Sequence, residues 1–190
     1  MASKVKYNLK NVHYALATTN GYASTVSAWP GAVALSLEPQ GEDYIFYADG
    51  EAYFEYHTNN GYEGDLECAL IPESFKKDVL GEVASSAGDL VELDDVGIVN
   101  FALGFQIDGD DKDNFFWFYN CSASRSAVAG NTKEENIEVQ TETITIRNKP
   151  DPRITIGGSK HPVKVKSGQA TTATAGSWFS AVVIPTVTTL

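Results

Sequence analysis

A chain of 190 residues carries 25 Asp and Glu against 14 Lys and Arg, a net charge of -11. That length is enough for one domain with a substantial core, since all-β sandwiches and barrels reach it undivided. The charge argues against a conventional groove that grips DNA or RNA by its phosphates, although an acidic wall would let nucleic acid slide past without sticking.

Met1 to Asn11 is polar and holds Lys4, Lys6 and Lys10; it is either an arm or an edge strand completed by a partner. Its start has no apolar signal-peptide core, and no apolar run approaches a membrane span, so folding in a reducing cytoplasm without membrane insertion is expected. Val12 to Thr19 alternates weakly before an Asn20-Gly21 turn. Trp29-Pro30-Gly31 breaks the chain ahead of Ala32 to Leu37, a strand with Val33, Leu35 and Leu37 on one face. Tyr44 to Tyr56 reads as a hairpin: two aromatic runs, containing Tyr47, Tyr53 and Phe54, flank an Asp49-Gly50 turn. Asn59-Asn60-Gly61 then turns the chain into the next strand.

From Tyr62 to Leu70 the residues alternate, with Leu66, Cys68 and Leu70 toward a core and Glu63, Asp65 and Glu67 opposite. After Ile71 the period changes. Pro72 suits a first helical turn, Phe75, Val79 and Leu80 form an apolar stripe, and Gly81 can close the segment in the left-handed conformation. Nine helical residues are only about 13 Å long and are unstable alone, so this helix must pack on the sheet. No other segment reads as a helix.

Beyond a Ser85 to Asp89 loop, Leu90 to Leu93 is a short strand, and Ile98 to Ile107 pairs with Phe115 to Cys121 across a polar Asp108 to Asn114 loop. The pair contains Phe101, Phe105, Phe115, Phe116, Trp117, Phe118 and Tyr119, a density that calls for cover on both faces, the second face by a helix or another subunit. Thr132 to Gln140 is a linker or polar strand, and Thr141 to Ile146 alternates clearly. Arg153 to Ile156, Val163 to Val165 and Trp178 to Val183 read as short strands, and Pro185 opens an extended tail. About ten strands and one helix give a mainly β chain, a β-sandwich or rolled β-barrel with one short flanking helix. Its divisions are an arm (1–11), a single β-rich domain with assembly loops (12–184) and a tail (185–190).

Motifs of chemistry are missing. There is no nucleophile elbow, metal-binding His pair, phosphate loop or dinucleotide fingerprint, so no catalytic residue, cofactor or metal is expected. His13, His57 and His161 are scattered, and Cys68 and Cys121 lie in apolar contexts as reduced core thiols. The Asp108 to Asn114 loop offers oxygens but lacks the spacing of a calcium loop.

Three stretches together resemble the major tail protein family of long-tailed bacteriophages of Gram-positive hosts. They are Val5-Lys6-Tyr7-Asn8-Leu9-Lys10-Asn11-Val12-His13-Tyr14-Ala15, Tyr47-Ala48-Asp49-Gly50, and Ile71-Pro72-Glu73-Ser74-Phe75-Lys76-Lys77-Asp78-Val79-Leu80-Gly81. The resemblance implies a structural virion protein, a tail tube subunit whose hexameric rings stack into a hollow tube around a tape-measure protein. That tube meets tail-tip and tail-completion proteins and conducts double-stranded DNA during ejection without specific binding. Assembly in the host cytoplasm and residence in the virion follow from it.

By position, the Met1 to Asn11 arm, the Tyr44 to Tyr56 hairpin and the Ile71 to Gly81 helix match the family's contact elements, and Ser122 to Gln140 is aligned with a ring-linking loop. Glu63, Asp65 and Glu67 are then candidate lumen-facing residues, a pattern that an ordinary wetted sheet face shares. A tail-tip, connector or decoration protein is the nearest alternative, and a carbohydrate-binding module using the aromatic residues is a more distant one.

Overall fold

In a computed structural model, residues 5–132, 139–168 and 172–186 are described. They form thirteen strands and two short helices. The strands are β1 (Lys6–Thr18), β2 (Gly21–Tyr22), β3 (Ser27–Trp29), β4 (Ala32–Gln40), β5 (Asp43–Ala48), β6 (Glu51–His57), β7 (Gly61–Cys68), β8 (Val83–Ala84), β9 (Leu90–Val91), β10 (Phe101–Gly109), β11 (Asn114–Ala123), β12 (Glu142–Asn148) and β13 (Lys164–Lys166). The helices are α1 (Glu73–Asp78) and α2 (Ala175–Trp178).

Nine strands make one antiparallel sheet in the order β2-β1-β10-β11-β12-β7-β4, with β3 added to β1 and β13 to β11. The sheet folds over on itself as a β-sandwich-like fold. Side chains from both halves meet inside: Val12 and Tyr14 of β1, Phe101, Leu103 and Phe105 of β10, and Phe118 and Cys121 of β11 face Leu66 and Cys68 of β7 and Ile144 and Ile146 of β12. Helix α1 joins this core through Phe75, which is fully buried and packs edge-on against Tyr14 and Phe101 and at a tilt against Trp29. Glu142 at the start of β12 accepts from the Ile71 amide at 2.7 Å, so the helix is tied to both halves.

A second apolar cluster lies on the outer face of β10 and β11. Ala102, Phe115, Trp117 and Tyr119 are covered there by Ile154, Trp178 and Phe179, with Val182 and Val183 alongside. The Trp117 indole donates to the Trp178 carbonyl at 3.1 Å and the Tyr119 hydroxyl to the Val183 carbonyl at 2.5 Å. The aromatic strand pair is thus covered on both faces by its own chain; no second subunit is required for it.

Several local expectations change. Lys6 to Asn11 is part of β1 and pairs with β10 rather than standing off as an arm. Asn8 and Asn11 have φ of 59° and 51° beside the two register shifts of that pairing. Asn tolerates this left-handed conformation better than most residues, which lets β1 bulge without breaking. Val33 leaves the face of Leu35 and Leu37 because the register of β4 slips between Ala32 and Ala34, and it is exposed. Leu70 lies past the end of β7 and is exposed as well.

Helix α1 is shorter than expected. Pro72 sits outside it in extended conformation, Val79 is already the cap, and Gly81 takes the left-handed φ of 73°. Trp178 to Val183 is not the expected final strand: helix α2, set by a capping box between Thr174 and Ser177, ends at Trp178, and the chain beyond it is turn and irregular. Arg153 to Ile156 is a turn region with a single bridge from Ile156 to Lys160.

Candidate functional site

Strands β5 and β6 form a two-stranded ribbon of their own, separate from the main sheet. Asp49 and Gly50 turn it, with φ of 54° and 81°, the double left-handed pattern that matches strand twist. Pairing sets Tyr44 against Tyr56 and Phe46 against Phe54, and a register shift then sets Tyr47 against Ala52. The extra residue, Tyr53, lies on β6, so β5 keeps its alternation: Tyr44, Phe46, Phe54 and Tyr56 share one side, and Tyr47 lies on the other with Ile45, Ala52 and Glu55. The side of Tyr47 also carries Asp43 and His57, Glu51 falls on the side of the four rings, and Tyr53 is the unpaired residue of the bulge.

All these side chains are exposed, Tyr53 at 76% and Tyr47 at 65%. Phe54 and Tyr56 stack in parallel with ring centroids 6.5 Å apart. At the ribbon's base His57 approaches Asp43 at 2.6 Å, and that carboxylate raises the imidazole pKa. A two-stranded ribbon is marginal in water by itself, and four rings on one face make an apolar patch of several hundred Å², at the upper end of what monomers leave bare.

Glu63, Asp65 and Glu67 do share one face of β7, on the outer surface of the β4-β7-β12 half. β12 and the residue just before it supply a partner for each: Arg147 donates to Glu63 at 2.8 Å, Thr145 to Asp65 at 2.7 Å and Thr141 to Glu67 at 2.7 Å. On the other flank lie Ala34, Ser36 and Glu38 of β4. This face is polar and wetted, in contrast with the covered outer face of β10 and β11. Of the helix residues, Phe75 and Val79 are buried and Leu80 is partly so, all within the core between the sheet halves. Ribbon, acidic face and helix are three separate places and do not converge into one site.

The remaining sequence candidates have structural roles. His13 stacks on Phe179 at 4.6 Å, and the His161 ring contacts the Ile154 carbonyl at 2.9 Å. Asp108 is held by Lys10 at 2.8 Å and by Asn8 and Gln106, and the Lys10 ammonium lowers its pKa. Among the described residues no group of three or more His, Cys, Asp or Glu is placed to hold a metal ion. Cys68 and Cys121 are free and buried, and burial pushes the Cys121 thiol up to about 12. A groove of about 290 Å³ beside α1 is lined by charges that pair with one another, Lys76 with Glu142 and Arg125 with Glu92. The expected ring-linking loop falls partly outside the described residues, at 133–138.

Two features escape a reading of the sequence. Asp151, fully buried, is gripped by Arg153 at 2.7 and 3.1 Å and by the Tyr22 hydroxyl at 2.5 Å, while the same hydroxyl accepts from the Asn120 amide at 2.7 Å. This network fastens the C-terminal cover to β2 and β11. Lys164 and Lys166 of β13 reach over aromatic rings: the Lys164 ammonium lies 4.2 Å from the Tyr62 ring centre and that of Lys166 lies 5.7 Å from the Phe116 ring centre. In the sequence Asp151 falls in the Asn148 to Pro152 strand stop, Arg153 opens an expected strand, and Lys164 lies within another at Val163 to Val165, none of which signals these contacts. Compared with known proteins, the chain matches no family model and no curated protein.

Proposed function

We propose that this chain is a structural, non-enzymatic subunit of a phage tail, one that self-associates into stacked hexameric rings enclosing a tube for double-stranded DNA. The observation that carries the reading is the free aromatic ribbon β5–β6. It is paired along its length around one bulge and has a well-formed turn, yet both of its faces are exposed among the described residues. Burying an aromatic face against another copy would remove the patch from water and supply the support that a lone ribbon lacks. Closed rings limit lateral growth, and repetition along an axis multiplies modest contacts between them.

The acidic outer face of β4-β7-β12 suits the inner wall of such a tube, where Glu63, Asp65 and Glu67 would repel phosphate. Tape-measure, tip and completion proteins would be its partners, and the virion its final location.

Electron microscopy and sedimentation velocity of the purified protein test this reading. Six-membered rings or stacks are expected for the wild type, and Phe46→Ser combined with Phe54→Ser should give monomers of unchanged melting temperature. Single rings that never stack would favour a connector or tip protein. Monomers at every concentration, with binding to immobilised glycans, would overturn the reading in favour of a carbohydrate-binding module.

A further inference from the structure

Strands β11 and β12 separate beside α1. They pair from Cys121 opposite Asn148 to Ala123 opposite Ile146, and one step further the Ser124 amide donates to the Thr145 carbonyl at 3.0 Å. The two chain segments meet again where the Asn131 backbone and the Gln140 side chain exchange two hydrogen bonds of 3.0 Å. Between these two clips, among the described residues, no backbone hydrogen bond joins 125–130 to 141–144, and β12 is paired there on its β7 side alone. The gap is the groove of about 290 Å³. Unpaired backbone along both walls is what a ladder presents when it is open for one more strand.

The walls select the kind of strand. Ser126, Ala127 and Ala129 are small, so another backbone can come close. Glu82 of the lining is half-buried and forms no ion pair among the described residues, whereas Glu142 faces Lys76 and Glu92 faces Arg125. A segment with small residues and a lysine is the complement. This chain carries one: its first 37 residues hold Lys4, Lys6 and Lys10 and no Asp or Glu, and Ala2-Ser3 stands directly before Lys4.

That segment cannot reach the groove of its own chain. The Val5 amide donates to the Asp110 carboxylate at 3.1 Å, and Lys6 lies opposite Gly109. The groove lies past the other end of the same strands, since Phe101 is opposite Cys121. Gly109 and Phe101 are about 26 Å apart along β10, and residues 1–4 span at most about 14 Å. Resting on the self-association proposed above, we infer that residues 1–4 of one copy enter the groove of a second copy as an added strand, with Lys4 paired to Glu82. Donor and acceptor lie at opposite ends of the molecule, so the contact is head-to-tail and repeats end to end.

Disulfide trapping on the full chain tests the inference. Ser3→Cys and Ala127→Cys are made in separate chains, whose own two thiols are buried. Mild oxidation of the mixture should link unlike copies, whereas Ser3→Cys mixed with Ser159→Cys, in the turn between Ile156 and Lys160, should give no link. Deleting residues 1–4 should raise the concentration needed for assembly at least about tenfold, at unchanged melting temperature. Glu82→Lys should raise it about threefold, and Lys4→Glu in the same chain should restore it. If the wild type assembles but Ser3→Cys does not link to Ala127→Cys, or the deletion leaves assembly unchanged, the groove is not the acceptor while self-association stands. A link closing within a single dilute chain that carries both cysteines would place the segment in its own groove and overturn the inference. A wild type that never assembles would overturn both.

Discussion

Trp117 and Gly104 face each other across β10 and β11, and the indole occupies the space that a side chain on Gly104 would need. A methyl group there would sit 2.7 Å from the ring carbon Cζ3, well inside contact distance. The glycine is thus a packing requirement of the outer core, and the indole it admits anchors Trp178. Gly104→Ala should destabilise the fold by about 1–3 kcal/mol, the usual range for overpacking. Urea unfolding followed by tryptophan fluorescence measures it; a change below about 0.5 kcal/mol would mean that the indole has another place to go.

Phe75 gives the inner core its corresponding test. Phe75→Ala should cost about 3–5 kcal/mol, because the ring fills the space between Tyr14, Trp29 and Phe101. Leu80→Ala, on a partly exposed residue, should cost much less. Equal losses would show that Leu80 is docked as firmly as Phe75, since alanine is the better helix former and propensity cannot account for either loss.

The grip on Asp151 predicts a pH dependence. Burial alone would push its carboxyl pKa up, but the Arg153 guanidinium and the Tyr22 hydroxyl outweigh it and hold the value below the usual carboxylate range. A depressed folded pKa means that this stabilisation is complete above the unfolded value of about 3.9 and is lost as pH falls through the folded one. Asp151→Asn should cost about 3 kcal/mol at pH 7, by leaving Arg153 without its counter-charge. The difference from wild type should shrink steadily below about pH 4. Denaturant titrations from pH 7 to pH 2 measure it, and a gap that stays constant would assign the loss to packing.

Both cysteines should be silent toward thiol reagents in the folded chain. Cys68 and Cys121 are buried, and burial raises both pKa values, so little thiolate forms near neutrality. Ellman's reagent at pH 8 should report no rapid reaction until denaturant is added, then two thiols. Fast reaction of either one in the native protein would place an opening at the core that the packing does not show.

The proposed lumen role of Glu63, Asp65 and Glu67 predicts a change in adhesion. Tubes assembled from a chain with all three changed to Lys should retain double-stranded DNA at low salt and release it as salt rises, whereas wild-type tubes should not bind it. Equal behaviour would return these residues to the role of a wetted surface. A loss of stability beyond about 1 kcal/mol is not expected from the Glu63 and Arg147 pair, which is exposed.

Elements with strong period and strong punctuation were legible in the sequence. The β5–β6 hairpin followed from its Asp49-Gly50 turn, the β10–β11 pair from its aromatic runs, and the faces of β7 from alternation through Cys68. The errors came where local pattern met tertiary geometry. A bulge in β4 turned Val33 outward, and β7 ended before Leu70, neither of which leaves a mark on hydropathy. The C-terminal segment is apolar enough for a strand, but its Trp178 and Phe179 are spent on covering Trp117, and four residues with a capping box are too few to show a helical period. Of the candidate residues, the strand, turn or helix that each sits on was readable and the company each keeps was not. The Asp151 network joins residues more than a hundred positions apart, from Tyr22 to Arg153, and no local window spans that.

The C-terminal cover also bears on the order of events during synthesis. Phe115, Trp117 and Tyr119 leave the ribosome roughly sixty residues before Trp178 and Phe179, so the outer face of β10 and β11 stays bare while the inner core can already close. A nascent chain held at that stage presents a large aromatic face to chaperones and to other nascent chains. Seating Trp178 and Phe179 over Phe115 and Trp117 withdraws that face and leaves the ribbon as a prominent exposed aromatic surface.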